Sequence, residues 1–441
     1  MRAADLGAAR VAVWGLGREG LAAIRFLRAH HQKLSLVLLD DAENTRPPPE
    51  LTNFNCAFGR GAIDRALKGV DVVVKSPGVS LYRREIAKAR RAGVTVTSLL
   101  NLWFAEEIAI RTICVTGTKG KSTTAALVAH MLYRLGRRVA LAGNIGVPVT
   151  EIDPKKEYAI IEVSSYQAAD FDGMCDVAVL TSLFPEHLDW HRSLEAYYRD
   201  KLNLLRYSRY AIANCQATSA IPLAQCLFNH AGALHARGLE IFDGPRLIGE
   251  VHNRYLARPH NLSNLCAALT VAKVLRFDLG AALDVTADFR ALAHRQQELG
   301  EIDGVVYVDD SISTAPESTL AALEVYAGRD ITLLVGGYDR GIDYDKLVAR
   351  LAAGAARAVV CLGASGERIH AALGASPAHP EAILARSMEA AVTQAKQITR
   401  PGGIVLLSPA APSYDAYRDF AARGRDFAER AGFAVTSDER R

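Results

Sequence analysis

The chain has 441 residues, half of them hydrophobic and 23% charged, with a formal net charge of +4. That length exceeds what one hydrophobic core sustains, so two to four domains are expected, and the composition excludes a disordered chain. Lys and Arg are interspersed with acids instead of forming a basic tract, so nucleic acid is not an expected partner.

Seven cysteines (Cys56, Cys114, Cys175, Cys215, Cys226, Cys266 and Cys361) are odd in number, scattered and free of any C-x-x-C pair. Neither a disulfide framework nor a zinc site is suggested, and small buried hydrophobes are the expectation. The first residues carry Arg2, Asp5 and Arg10 without an apolar run and cleavage site, and no stretch approaches ~18 continuous apolar residues. A cytoplasmic protein with no membrane partner is expected.

Residues 9–15 read as a short apolar strand, after which Gly15-Leu16-Gly17-Arg18-Glu19-Gly20 opens a helix carrying Leu21, Ile24 and Leu27. A second strand, 34–39, ends at Asp40 and Asp41, and Arg46-Pro-Pro-Pro reads as a rigid loop. A further strand at 71–75 runs into Ser76-Pro77-Gly78, and 94–97 closes a first domain, 1–108, of doubly wound nucleotide-fold type. By itself a G-x-G-x-x-G after a strand suggests a dinucleotide as readily as any other phosphate ligand.

The second unit opens with Ile113-Cys114-Val115-Thr116, then Gly117-Thr118-Lys119-Gly120-Lys121-Ser122-Thr123 and a helix with Leu127, Val128, Met131, Leu132 and Leu135 on one face. Strand, glycine-rich loop and helix form the order of a phosphate-binding unit, with backbone N–H groups, a lysine for the β/γ-phosphates and a hydroxyl for Mg²⁺. The loop is shorter than the standard pattern, with Val115 where the first glycine would stand. Strands at 158–163 and 177–180 and a helix at 194–205 continue a parallel α/β pattern through a middle domain, 109–296. Strands at 305–308, 331–335, 358–362 and 404–407 make a third α/β domain, 297–441.

Glu162 ends a strand, where open α/β sheets place their ligands, and is a candidate Mg²⁺ ligand; a helix-capping carboxylate is the plainer reading. His187, a few residues beyond the next strand, offers a nitrogen to a second metal, although a lone histidine is more often packed in a core. Lys201 shares a helical stripe with Leu194, Tyr198 and Leu205, so its stem faces inward. It is either a structural lysine with its head in water or a desolvated amine of lowered pKa.

The ordered series Thr116–Ser122, Gly143-Asn144-Ile145-Gly146, Glu162–Gln167, Glu186-His187-Leu188-Asp189 and Pro259-His260-Asn261 with Asn264 closely resembles the Mur ligase family. His294-Arg295, Asp309-Asp310-Ser311, Gly336–Gly341 and Ser408-Pro409-Ala410 match it too, so the resemblance spans almost the whole chain and is nearest the glutamate-adding branch. It implies an ATP-dependent amide ligase that joins glutamate to UDP-N-acetylmuramoyl-L-alanine in peptidoglycan precursor synthesis, with Mg²⁺ and as a monomer. Gly117–Thr123 would hold the ATP phosphates, with Ser122 on Mg²⁺. Glu162, His187 and a carbamylated Lys201 would bind metal. Asn261, Arg295 and Asp310 would face the adenine, ribose and γ-phosphate. Asn144 and Gln167 would line the muramoyl-alanine path, and Gly15, Leu16, Gly17, Arg18, Asp40 and Ser76 would hold the UDP moiety.

One departure bears on the amino acid. Where D-glutamate ligases of the family usually have Asp-Ser-Lys-Ala-Thr-Asn, the lysine pairing with the substrate side chain, this chain reads Asp310-Ser311-Ile312-Ser313-Thr314-Ala315. An apolar Ile312 pairs with no anion. Ser311, Thr314, Ser413, Tyr414 and Phe420 remain as candidate glutamate contacts. The Ile312 pattern and Trp14–Gly20 are similar to a smaller subgroup that adds L-glutamate, so L-glutamate is expected, with D-glutamate the alternative. A nicotinamide oxidoreductase using Gly15–Gly20 and a non-catalytic nucleotide sensor are the readings from other classes.

Overall fold

Short apolar runs bounded by glycines become parallel strands, and the longer amphipathic stretches between them become the crossover helices that cover both faces. The computed structural model describes residues 1–41, 51, 54–106, 108–145, 147–290, 293–339, 341–374 and 380–434. The Arg46-Pro-Pro-Pro loop, Gly146 and Arg340 lie outside these residues, as does the side chain of Asp189. The chain forms two compact units, Met1–Arg290 and Ala291–Arg441.

The first unit holds two sheets. Strands β1 (Arg10–Trp14), β2 (Ser35–Asp40), β3 (Asn55–Phe58), β4 (Val72–Lys75) and β5 (Thr95–Thr97) pair in the order β3-β2-β1-β4-β5, all parallel. Connections leave β1 and β4 in opposite directions, which opens a crevice at their carboxyl ends. The second sheet contains β6 (Arg111–Thr116), β7 (Val139–Gly143), β8 (Tyr158–Glu162), β9 (Cys175–Leu180), β10 (Ser208–Asn214), β11 (Cys226–Phe228), β12 (Leu234–Arg237), β13 (Glu240–Asp243) and β14 (Arg246–Glu250). Its order is β14-β13-β12-β11-β10-β9-β6-β8-β7, so β6 is an interior strand and a second crevice lies between β6 and β9. All five residues of β8 are buried, as expected of a strand covered on both faces.

The sequence pattern predicted a parallel α/β arrangement here; β12 continues it beside β11, but β13 runs antiparallel to both β12 and β14. Tight turns at Gly238 and Gly244, both with φ near +59°, join them, and the half-exposed β14 carries no apolar alternation to announce it. An apolar cluster runs without a break from Val11 and Val13 through Leu99, Leu102 and Trp103 to Cys114, Ile161 and Leu204, which welds the two sheets of this unit into one body.

In the second unit, β15 (Gln297–Ile302), β16 (Val305–Asp309), β17 (Ile331–Gly336), β18 (Ala358–Leu362), β19 (Glu381–Ala385) and β20 (Ile404–Leu407) pair as β15-β16-β20-β17-β18-β19, parallel except for β15. The four strands expected from apolar runs are present; the partly exposed edge strands β15 and β19 were not anticipated. All seven cysteines are free, and Cys114, Cys175, Cys266 and Cys361 are buried as expected, whereas Cys56 is exposed. Among the described residues no helix is long and apolar enough to cross a membrane.

Candidate active site

The loop after β6 is shaped by two glycines. Gly117 (φ +147°) and Gly120 (φ +84°) occupy backbone conformations that L side chains rarely adopt, and an added Cβ would overlap the Thr181 side chain at the first and Asn264 at the second. Neighbouring strand ends pin the rest. Thr118 N–H donates to Ser182 O (2.9 Å), its Oγ1 donates to Phe184 O (3.0 Å), and that hydroxyl also meets Tyr197 OH at 2.8 Å. Lys119 donates from its backbone to Ser182 Oγ (2.9 Å) and from Nζ to Glu186 Oε1 (2.7 Å), while Lys121 Nζ donates to Thr118 O (2.9 Å). The helix Lys121–Arg134 then begins with Ser122 and Thr123 buried in its first turn. Backbone N–H groups of a first turn lack helical partners, so this end of the helix attracts an anion.

Glu162 sits one strand away, paired in register with Val115 and 1% exposed. Asn144 Nδ2 donates to its Oε1 (2.9 Å), whereas Oε2 is buried with no hydrogen-bond partner. A carboxylate oxygen held out of water without a donor calls for a cation, so the donor set fits Mg²⁺. The helix-capping alternative for Glu162 fails, because the cap of the following helical turn is Ser164. Among the described residues no group of three or more His, Cys, Asp or Glu side chains converges on one point.

Lys201 lies in the helix Leu194–Arg206, on a buried stripe with Tyr197, Leu204 and Leu205; Leu194 and Tyr198, expected on that stripe, are only half-buried. Its head does not reach water. Nζ is enclosed and donates to Gly117 O at 2.7 Å. Burial, reinforced by the charge of Lys121, drives its pKa well below the ordinary lysine value against the pull of Glu186 and Glu162. His187 is not a packed core histidine: it takes a left-handed conformation (φ +55°), its side chain is 46% exposed, and its ring lies 5.1 Å from that of Tyr166. Asn261 is linked to the loop through Asn264, which bonds Asn261 Oδ1 (3.1 Å) and Thr124 Oγ1 (3.3 Å). Gln167 Oε1 caps Ser164, and its Nε2 donates to Glu19 Oε1 (3.2 Å) on the first sheet's helix. Glu19 titrates above the ordinary range because it is buried.

At the first crevice, Gly15 (φ +93°) packs against Ser76, whose Oγ donates to Gly15 O (2.7 Å), and Asp40 Oδ2 accepts from Leu16 N–H (3.0 Å). Gly20 has no room for a Cβ, which would overlap Gly15 O. Arg18 reaches across to Gly143 O (2.6 Å), so this loop and the Asn144 loop are adjacent.

Within the second unit, Asp310 is buried and accepts from Ser313 Oγ (2.6 Å), Ser408 Oγ (2.7 Å) and Gln296 N–H (3.2 Å). Burial outweighs these donors and lifts its pKa to about 6. Arg295 Nε is buried without a hydrogen-bond partner, and so is Ser413 Oγ. Ser311 is clasped by a residue that sequence reasoning missed: Arg423 donates from Nε to Ser311 Oγ (3.0 Å) and from Nη2 to Ser311 O (2.9 Å) and Ala411 O (3.0 Å). Burial pushes that guanidinium down to about 10. Thr314 and Ile312 are half-buried, Phe420 is 36% exposed, and Tyr414 is 71% exposed.

A glycine-shaped loop at a helix start, a buried acid at the next strand end and a desolvated lysine beneath them place this chain among nucleotide-dependent α/β enzymes. Comparison narrows the class. Residues 9–98 match the Mur ligase MurD-like N-terminal domain, 115–272 the Mur ligase middle domain, and 294–411 the Mur ligase glutamate ligase domain. The chain is 42% identical over 454 aligned positions to a UDP-N-acetylmuramoyl-L-alanine–L-glutamate ligase of Xanthomonas euvesicatoria pv. vesicatoria, covering 98% of this chain and 97% of that one. It is 39% identical to the protein of the same name from a Micromonospora species, covering 97% and 98%. Among solved structures it resembles a UDP-N-acetylmuramate-alanine ligase from Thermotoga maritima (TM-score 0.60, 19% identity, 96% of this chain and 99% of that one). A MurF ligase from the same organism, solved with ADP, gives a TM-score of 0.57 at 16% identity, covering 96% and 93%. The chain belongs to the Mur ligase family. The oxidoreductase reading of Gly15–Gly20 finds no support among these relatives, which are named as ligases.

Proposed function

We propose that this protein joins L-glutamate to the alanine carboxylate of UDP-N-acetylmuramoyl-L-alanine, with ATP converted to ADP and phosphate. The observation that carries the reading is the convergence of the Gly117–Ser122 loop, the orphaned Glu162 oxygen and the enclosed Lys201 amine at one sheet end. A carboxylate is too poor an electrophile for an amine. Its oxygen therefore attacks the ATP γ-phosphorus, ADP leaves, and the acyl phosphate so formed is attacked by the glutamate amine, releasing phosphate. The loop N–H groups and Lys121 hold the phosphates in line and offset their growing charge.

Glu162, Ser122 and His187 are the proposed Mg²⁺ holders, and when bound the ion neutralises phosphate oxygens. Lys201 is the proposed carbamylation site: its neutral amine would add to CO₂ and lose a proton, giving an anion that would help to hold the cation. Thr118, Lys119 and Thr123 complete the phosphate cradle. Asn261, Arg295 and Asp310 serve the rest of the nucleotide. Gly15–Arg18, Asp40 and Ser76 hold UDP, Asn144 and Gln167 hold the muramoyl-alanine arm, and Ser311, Thr314, Ser413, Tyr414 and Phe420 hold glutamate. Domain limits near residues 108 and 296, a monomer and a cytoplasmic setting belong to the same proposal.

The stereochemical choice rests on Ile312, which leaves the glutamate side chain without the lysine partner, and on the names of the relatives. Phosphate release is measured with UDP-N-acetylmuramoyl-L-alanine, Mg-ATP and each enantiomer. Release with L-glutamate alone supports the proposal; release with D-glutamate alone overturns the stereochemical part.

A further inference from the structure

Beside the loop lies a buried chain of polar side chains that the chemistry above does not use. His191 is fully buried at the end of the short helix Leu188–His191. Its Nδ1 stands 2.7 Å from Asp200 Oδ2, and its Nε2 stands 3.0 Å from Ser165 Oγ. A carboxylate only accepts, so Nδ1 carries the proton. In the neutral ring Nε2 then accepts from the serine hydroxyl. From the other side, Tyr82 OH contacts both carboxylate oxygens of Asp200, at 2.8 and 2.6 Å. Tyr82 belongs to the segment after β4 that also supplies Ser76 to the first crevice, and Ser80 of that segment donates to Trp190 O (2.9 Å).

The chain therefore runs from the first sheet's substrate loop, through Asp200 and His191, to the helical turn Ser165–Ala168 that carries Tyr166 and Gln167. Trp190 stacks on Tyr166 at 4.7 Å and holds the same turn from above. The spacing resembles a Ser-His-Asp relay, but Ser165 is only 4% exposed, which leaves an acyl group no approach. What the burial supports is alignment. A polar chain of this kind, with each partner satisfied, fixes one arrangement of the elements it joins.

We propose that His191 is a positioning residue for the UDP-N-acetylmuramoyl-L-alanine substrate, locking the Gln167-bearing turn to Asp200 and, through Tyr82, to the loop that receives the UDP end. The role rests on the ligase reading, because only a ligand that spans both crevices of the first unit senses their alignment. ATP, gripped by the Gly117–Ser122 loop, does not depend on it.

The test is steady-state kinetics on the full chain with Ser165→Ala, His191→Asn and Tyr82→Phe. Ser165→Ala and His191→Asn are expected to raise KM for the muramoyl-alanine substrate by roughly 5- to 30-fold, while KM for ATP and kcat move less than about 3-fold. Tyr82→Phe shifts the same KM by a smaller factor. The double variant Ser165→Ala/His191→Asn is no worse than His191→Asn alone, because both changes break one link. Ser165→Ala removes a single hydroxyl, so it carries the test if His191→Asn does not fold. Unchanged KM for the muramoyl-alanine substrate in these variants of an active enzyme overturns the role, as does a loss shared equally with ATP. Absence of glutamate-dependent phosphate release from the unsubstituted protein would instead sink the ligase reading itself.

Discussion

The phosphate-loop region of the first unit and the Asp310–Thr314 region of the second are built in opposite ways. Around Gly117–Ser122 the shape is set mainly by backbone, with two positive-φ glycines and with N–H groups and carbonyls of neighbouring strand ends, and Thr118, Ser122 and Lys201 are enclosed while Lys119 stays half-exposed. Around Ser311 the backbone is clasped by Arg423, but the neighbouring side chains, Ile312 half-buried and Tyr414 largely exposed, are free to vary without disturbing a core. Chemistry shared by a family suits the first kind of construction, since it leaves few tolerated substitutions. A choice among amino acid substrates suits the second.

Substitutions in the phosphate loop are expected to have the largest effects. Lys121→Ala should reduce glutamate-dependent phosphate release by roughly a thousand-fold, and Gly117→Ala by a similar factor, since its Cβ has no room beside Thr181. Full activity in either would mean that the phosphates are held elsewhere. Glu162→Gln should cost roughly a hundred-fold and raise the Mg²⁺ concentration needed for half-maximal rate, measured by metal titration.

Asp310 gives a pH-dependent test. Its folded pKa of about 6 stands above the unfolded value near 4, so between those pH values the folded state keeps a proton that the unfolded state has lost. Stability contributed by this group is complete below pH ~4, falls as pH rises to about 6 and is flat beyond, by up to roughly 3 kcal/mol. Urea melts from pH 4 to 7.5 should show that decline in the unsubstituted protein and less of it in Asp310→Asn; the same slope in both would contradict the burial argument. Smallest and most specific is Ile312→Lys. It should improve use of D-glutamate relative to L-glutamate by a few-fold to ten-fold in kcat/KM, without altering KM for ATP, if that position tunes the amino acid.

What was legible in the sequence follows the same division. The loop and Glu162 could be singled out because strand, turn and helix are local signals, and Lys201 because an inward lysine on a helical stripe is visible from spacing alone. Spacing was less exact about company: the stripe passes through Tyr197 and Leu204, not Leu194 and Tyr198. The strands β7 and β10–β13 were also not anticipated, and β3, β14, β15 and β19 escaped because their exposed faces erase apolar alternation. His191 and Arg423 were invisible for a different reason. Each derives its meaning from partners no local pattern marks: Asp200 and, 26 residues back, Ser165 for the first, and Ser311 for the second. His187, singled out for its motif, turned out to be the exposed histidine, and His191, four residues on, the packed one.

A crystal structure of the protein with Mg²⁺ and a non-hydrolysable ATP analogue shows where the triphosphate is held. The triphosphate is expected against the backbone N–H groups of 119–122 and Lys121 Nζ, with a metal ion touching Ser122 Oγ and within reach of Glu162. A nucleotide lodged at Gly15–Gly20 instead, with the Gly117–Ser122 loop empty, would contradict it.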